Sequence, residues 1–187
     1  MSAGPEPGQA SRLARTLRAI GALLQTMPRA VAWIPLLAWA GLIFYLSSRP
    51  APQLMGEPSI VGGWLTNSAH GVEYGMLALL SALVVPRHAG WPDIDARRFR
   101  ILIVLIALYA ASDEWHQSFT PHRDASVCDV ITDVVGASLT LGAIVFAGGA
   151  RASDAKLARI FVYGIPLVLL AGALATFADW FTDPSRT

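Results

Sequence analysis

The chain has 187 residues, 54% of them hydrophobic and only 14% charged, with a net charge of +1. A mean hydropathy of +0.49 and so few charges exclude an ordinary soluble domain, in which about a quarter of residues are charged. The near-neutral balance carries no message about nucleic acid, and Cys128 stands alone, so an internal disulfide is excluded.

Taken in order, residues 1–10 (MSAGPEPGQA) are rich in Gly and Pro and read as disordered. Leu13, Leu17, Ile20 and Leu24 then recur at helical spacing, with Arg12, Arg15 and Arg18 off that stripe. The pattern predicts an amphipathic helix lying on the cytoplasmic surface, so that residues 1–29 form a cytoplasmic tail. The apolar stretch after Arg29 is longer than a signal-peptide core, and no convincing small-x-small site follows it, so it is read as a retained span.

A helix needs about 20 residues to cross the hydrocarbon core. Five segments meet that requirement, at about 30–47, 67–85, 101–119, 127–147 and 160–178. The expected fold is therefore all-α, a polytopic bundle of about five transmembrane helices. Residues 30–147 supply a four-helix core, and 148–187 a loop, an apolar fifth helix and a short tail. Of the 14 basic residues, only Arg49, Arg123 and Arg186 fall on one side of this arrangement. Cytoplasmic loops are enriched in Lys and Arg, which places the N-terminus inside and the C-terminus outside.

The polar residues of the spans are not scattered. In the second span His70, Glu73 and Tyr74 share one helix face. In the third, Asp113 lies ~20 Å beyond Arg100 and shares a face with His116 and Gln117, while Glu114 sits a step round the helix. The fourth begins with Ser126, Asp129 and Asp133, the two acids stacked four apart. Three helices thus bring carboxylates to one depth in the outer leaflet, where ionisable residues are costly and usually functional. Asp129 has a second reading, as partner of an N-cap at Ser126 in a variant capping box. Arg123, in the loop 120–126, is expected to fold back onto the acids, since unpaired buried charge is expensive. His116 reads equally as a ligand or as an interfacial neighbour of Trp115. Trp33, Trp39, Trp64, Trp91 and Trp180 are assigned to interfacial belts or loops. Gly136, Ala137, Gly142 and Ala143 suit close helix packing.

The run Ile43-Phe44-Tyr45-Leu46-Ser47-Ser48-Arg49-Pro50, His70 with Tyr74, and then Ser112, Asp113, Glu114, Gln117, Pro121, Arg123, Ser126, Asp129 and Gly136 resemble the VanZ-like family. These are small bacterial membrane proteins named after a teicoplanin-resistance protein. The resemblance spans residues 36–147 and implies a cell-envelope location and a role in antibiotic resistance. Asn67 and Asp133 depart from it, where the family usually has Lys and Asn, and both changes make the site more negative.

Three functions compete. An outer-leaflet site could bind or modify a lipid-linked or cell-wall-related molecule. Glu114 or Asp113 would then be general acid or base, His70 a second proton-transfer group, Arg123 an anion clamp and Gln117 an orienting group. Asp129, Glu73, Tyr74 and Asp133 complete the candidate set. Alternatively the cluster fixes helix packing, with function in partner binding. Transport coupled to protons or cations ranks last, because no repeated half supplies alternating access; a homodimer would have to supply that symmetry. No compact metal or cofactor motif such as H-E-x-x-H is present, and membrane lipids are the expected surroundings.

Overall fold

The computed structural model describes residues 12, 15–16, 19–21, 26–49, 59–121, 123, 125–149 and 152–182. The described residues at 12, 15–16 and 19–21 are helical. Residues 1–10, expected to be disordered, most of the apolar stripe of the expected interfacial helix, Pro50, His122, Asp124 and the tail with Arg186 lie outside the described residues.

Five long helices follow: α1 (Arg29–Ser47), α2 (Ile60–Val84), α3 (Ala96–Gln117), α4 (Val127–Gly148) and α5 (Asp154–Thr182). By length and composition α1, α4 and α5 are apolar enough to cross a membrane. The other two are as long, 25 and 22 residues, but carry His70 and Glu73, or Asp113 and Glu114 with Arg100, within their apolar runs. Polarity is inside out. Ile34, Leu37, Leu108, Val162 and Tyr163 are all more than 60% exposed, whereas Asp133 is 1% exposed. That distribution suits a hydrocarbon solvent, in which helices satisfy their own backbone.

The helices run alternately up and down. At one end Arg29 donates to the carbonyl of Val84 (2.9 Å) and Trp91 Nε1 to that of Ile144 (3.1 Å). At the other end stand Ser47, Gln117 and Ser126. One departure from an all-helical chain is a two-stranded hairpin between α2 and α3, β1 (Arg87–His88) with β2 (Trp91–Pro92), pairing Arg87 with Pro92 and His88 with Trp91. Its turn is Ala89-Gly90, with φ of 49° and 75°, left-handed backbone that matches strand twist in a two-residue loop. Asp95 then caps α3, accepting from Arg98 N at 2.7 Å. This bond to the Arg98 amide holds the Asp95 carboxyl below its ordinary value. The cap is therefore complete at neutral pH and is lost as pH falls through that lowered value.

The bundle centres on the contact between α2 and α4. A Cβ on Gly136 would run into the carbonyl of Gly71, and one on Gly75 would meet Thr140 Oγ1 at 2.9 Å. Small residues here let two backbones approach, the usual basis of helix association in lipid. Below the polar end, Tyr74, Leu77, Ala78, Ile106, Ala110, Ala137 and Leu141 form an apolar core. Three of the tryptophans read as belt or loop residues also tie elements together, Trp91 from its place in the hairpin between α2 and α3. Trp39 Nε1 donates to the carbonyl of Glu73 (3.0 Å), Trp64 Nε1 to that of Leu169 (2.8 Å), and Trp91 to Ile144 as above.

Gly136→Ala must push α2 from α4, so its thermal midpoint in detergent falls, by about 1–3 kcal/mol as for an overpacked core. At Gly142 an added methyl group would meet nothing within 4 Å, and Ala is tolerated there with no loss. Equal behaviour of the two variants contradicts this packing.

Candidate functional site

Each helix delivers its polar residues by simple periodicity. On α2, His70 and Tyr74 point inward one turn apart; on α3, so do Asp113 and Gln117, with Glu114 beside them; on α4, Asp129 and Asp133 stack on the buried face. Glu73 is half-buried. The structure therefore gathers at one end of the bundle the residues the sequence singles out, and they divide into two groups.

The first group is hydrogen-bonded throughout except at Asp113 Oδ1, which is buried without a partner among the described residues. Asp113 Oδ2 accepts from Ser47 Oγ (2.8 Å) and Gln117 Nε2 (3.0 Å). Thr120 Oγ1 donates to the carbonyl of Ser47 (3.3 Å). Arg123 behaves differently from the sequence expectation. Its Nε donates to the carbonyl of Arg49 (3.0 Å), Nη2 to that of Leu46 (3.2 Å), and Nη1 to Gln117 Oε1 (3.3 Å). The last carbonyls of a helix have no partner within it, and at the end of α1 the guanidinium serves them rather than the acids. Arg49 meanwhile folds back on Tyr45, its guanidinium 4.8 Å from the ring centre. His116 stacks on Phe44, 4.2 Å between centroids, with Nε2 3.0 Å from Ser48 Oγ. This group closes α1 and the loop 120–126 onto α3.

The second group is not satisfied. Ser126 caps α4, accepting from Cys128 N at 3.2 Å. The capping box is not completed by Asp129, however, because Ser126 N donates to Glu114 Oε2 from α3 (2.9 Å). His70 Nδ1 lies 3.5 Å from Asp133 Oδ1, an ion-pair distance but beyond a good hydrogen bond. Among the described residues, Asp113 Oδ1, Glu114 Oε1, Asp129 Oδ1, both oxygens of Asp133 and the Tyr74 hydroxyl are buried without a hydrogen-bond partner. A buried polar group left unpaired costs about 1–3 kcal/mol, and more when charged, so such a concentration needs an explanation. Among the described residues no group of three or more His, Cys, Asp or Glu is placed to hold a metal ion.

Sequence reasoning missed Ser47, Thr176 and Asp179. Asn67 Nδ2 donates to Thr176 Oγ1 and to Asp179 Oδ2, both at 3.1 Å, so the helix read as wholly apolar carries polar contacts at the same end. The signal available was an aspartate near the C-terminus of α5, where the helix dipole disfavours negative charge.

Residues 32–148 match a family model described as VanZ/LLP1. No curated protein and no solved structure matches the chain.

Ser47→Ala removes a donor from buried Asp113, and its thermal midpoint in detergent should drop by about 1–3 kcal/mol equivalent. Ser118→Ala, on the exposed side of the same region, serves as control and stays within about 0.5 kcal/mol. An unchanged Ser47→Ala protein would mean that the Asp113 network does not close α1 on α3.

Proposed function

The chain belongs to the VanZ/LLP1 family, the matched residues 32–148 being well over half of it, and from that premise we propose a membrane protein of the bacterial envelope with a polar binding site in its outer leaflet. All five helices span the plasma membrane, with the N-terminal amphipathic helix and the basic loops in the cytoplasm and the C-terminus outside. The excess of Arg and Lys at the end opposite the acids supports this orientation.

One observation carries the reading. Buried at the same end of the bundle, acceptor atoms of Asp113, Glu114, Asp129 and Asp133 without a hydrogen-bond partner outnumber the donors left over there, the Tyr74 hydroxyl and His70 Nδ1, among the described residues. Three of the five N–H groups of Arg123 are engaged with carbonyls and Gln117, which holds the guanidinium at the end of α1. The ligand that suits this site donates hydrogen bonds, as a hydroxyl or an amine does. A polar group of a lipid-linked or cell-surface molecule, entering from the outer leaflet, has that chemistry, and a resistance role would follow if the molecule were a wall precursor or its analogue. If a bond is made or broken there, Glu114 is the general acid or base and the His70–Asp133 pair moves the second proton. Asp113 and Gln117 hold the frame. The apolar core beneath the acids, from Leu77 and Ile106 to Leu141, argues against a polar path through the bundle and so against transport.

Deletion of the gene should alter the profile of envelope lipids and lipid-linked metabolites, and the wild-type gene should restore it. Glu114→Gln, at wild-type abundance, should restore at least about tenfold less, the loss of a hydrogen bond to a charged group. Full restoration by Glu114→Gln, or an unaltered deletion profile, overturns the site. For orientation, Cys128→Ser combined with Pro121→Cys should react with a membrane-impermeant maleimide on intact spheroplasts. Labelling only after lysis would invert the topology.

A further inference from the structure

The matched family region ends before α5 begins, yet α5 is bound to the polar end by more than apolar contact. A Cβ on Gly172 would strike the Ser68 hydroxyl and approach its backbone N to 2.8 Å, so α2 and α5 meet closely at this level. One turn further toward the polar end, Thr176 is 4% exposed and Asn67 8% exposed. The amide of Asn67 has two N–H donors, and α5 offers it two acceptors, Thr176 Oγ1 and Asp179 Oδ2. Thr176 in turn donates to the carbonyl of Gly172 at 2.8 Å. Asp179 is half-buried, and its charge acts on Asp129, whose own Oδ1 is buried without a partner among the described residues.

The bland account is a clip that fastens α5 to α2. A clip needs only an acceptor, and Thr176 or a neutral amide would supply one. A carboxylate in the last turns of a helix faces the negative end of the dipole, and here its charge also acts against that of Asp129, since like charges disfavour each other. Asp179 is thus the expensive choice for a fastening. We infer that Asp179 is a carboxylate of the binding site itself, positioned by Asn67, and that α5 is the wall that closes the site beside Asp129. The inference rests on the outer-leaflet site proposed above and extends it beyond the family core to a helix outside the matched region.

Three variants test it in the complemented deletion strain, read by envelope-lipid profile and by thermal midpoint of the purified full-length protein in detergent. Asp179→Asn keeps the acceptor for Asn67 while removing the charge. It should leave the midpoint unchanged and cut restoration at least tenfold. Asp179→Glu should recover most of that loss, and Asn67→Asp combined with Asp179→Asn, which returns the carboxylate on the opposite helix, should recover part. Full restoration by Asp179→Asn overturns the inference and leaves a mere clip. If Glu114→Gln is also silent, the site reading fails as a whole; if Glu114→Gln is defective while Asp179→Asn is silent, only the role of Asp179 fails.

Discussion

Hydrocarbon offers no hydrogen bonds, and the whole arrangement of this protein follows from that. Every carboxylate placed within the bilayer must find a donor, a proton or a shared wet pocket, since the cost of leaving one alone runs to several kcal/mol. Helices solve the problem for the backbone, which is why the described chain is almost entirely helical. Nothing solves it for side chains except convergence. Asp113, Glu114, Asp129, Asp133 and His70 are buried at one end of one bundle because any other disposition would put them singly against lipid.

Convergence in turn requires the backbones to come close, and glycine provides the approach. Gly71 and Gly136 let α2 and α4 touch, which sets His70 opposite Asp133. The same economy recurs between α2 and α5, where Gly172 makes room for Ser68. Packing and polar site are linked: α2 and α4, which meet most closely, carry His70 and Asp133. What packing does not do is satisfy all of them. The Ser47–Asp113–Gln117–Arg123 network closes α1 on α3 through Asp113 Oδ2 and leaves Asp113 Oδ1 over. The Glu114–Asp129–Asp133–Tyr74 group is left with free acceptors, and that asymmetry separates frame from site.

Much of this was legible in the sequence, for identifiable reasons. Hydropathy sufficed for the helices because their apolar runs are long, and i, i+4 spacing placed His70 with Tyr74 and Asp129 with Asp133 because periodicity survives any tertiary context. Ser126 as the cap of α4 was legible from its position before an apolar run. Other features were not. Whether Arg123 pairs with acids or with carbonyls depends on where the end of α1 lies in space, which no spacing reveals. The Ser126 amide went to Glu114 rather than Asp129 because α3 delivers a competing acceptor from twelve residues upstream. Asp179 was hidden by the apolar sequence around it, and the carbonyls that accept from Trp39, Trp64 and Trp91 lie on other elements, where spacing does not point.

In the proposed site the orphaned acceptors face a shared pocket that takes a hydrogen-bonding guest or water. A high-resolution structure of the protein in lipid nanodiscs measures this most directly. The account predicts ordered density within hydrogen-bonding distance of Asp133, Glu114 and Tyr74, enclosed by α2, α3 and α4. Those side chains turned outward to the lipid, or packed together dry, would contradict it.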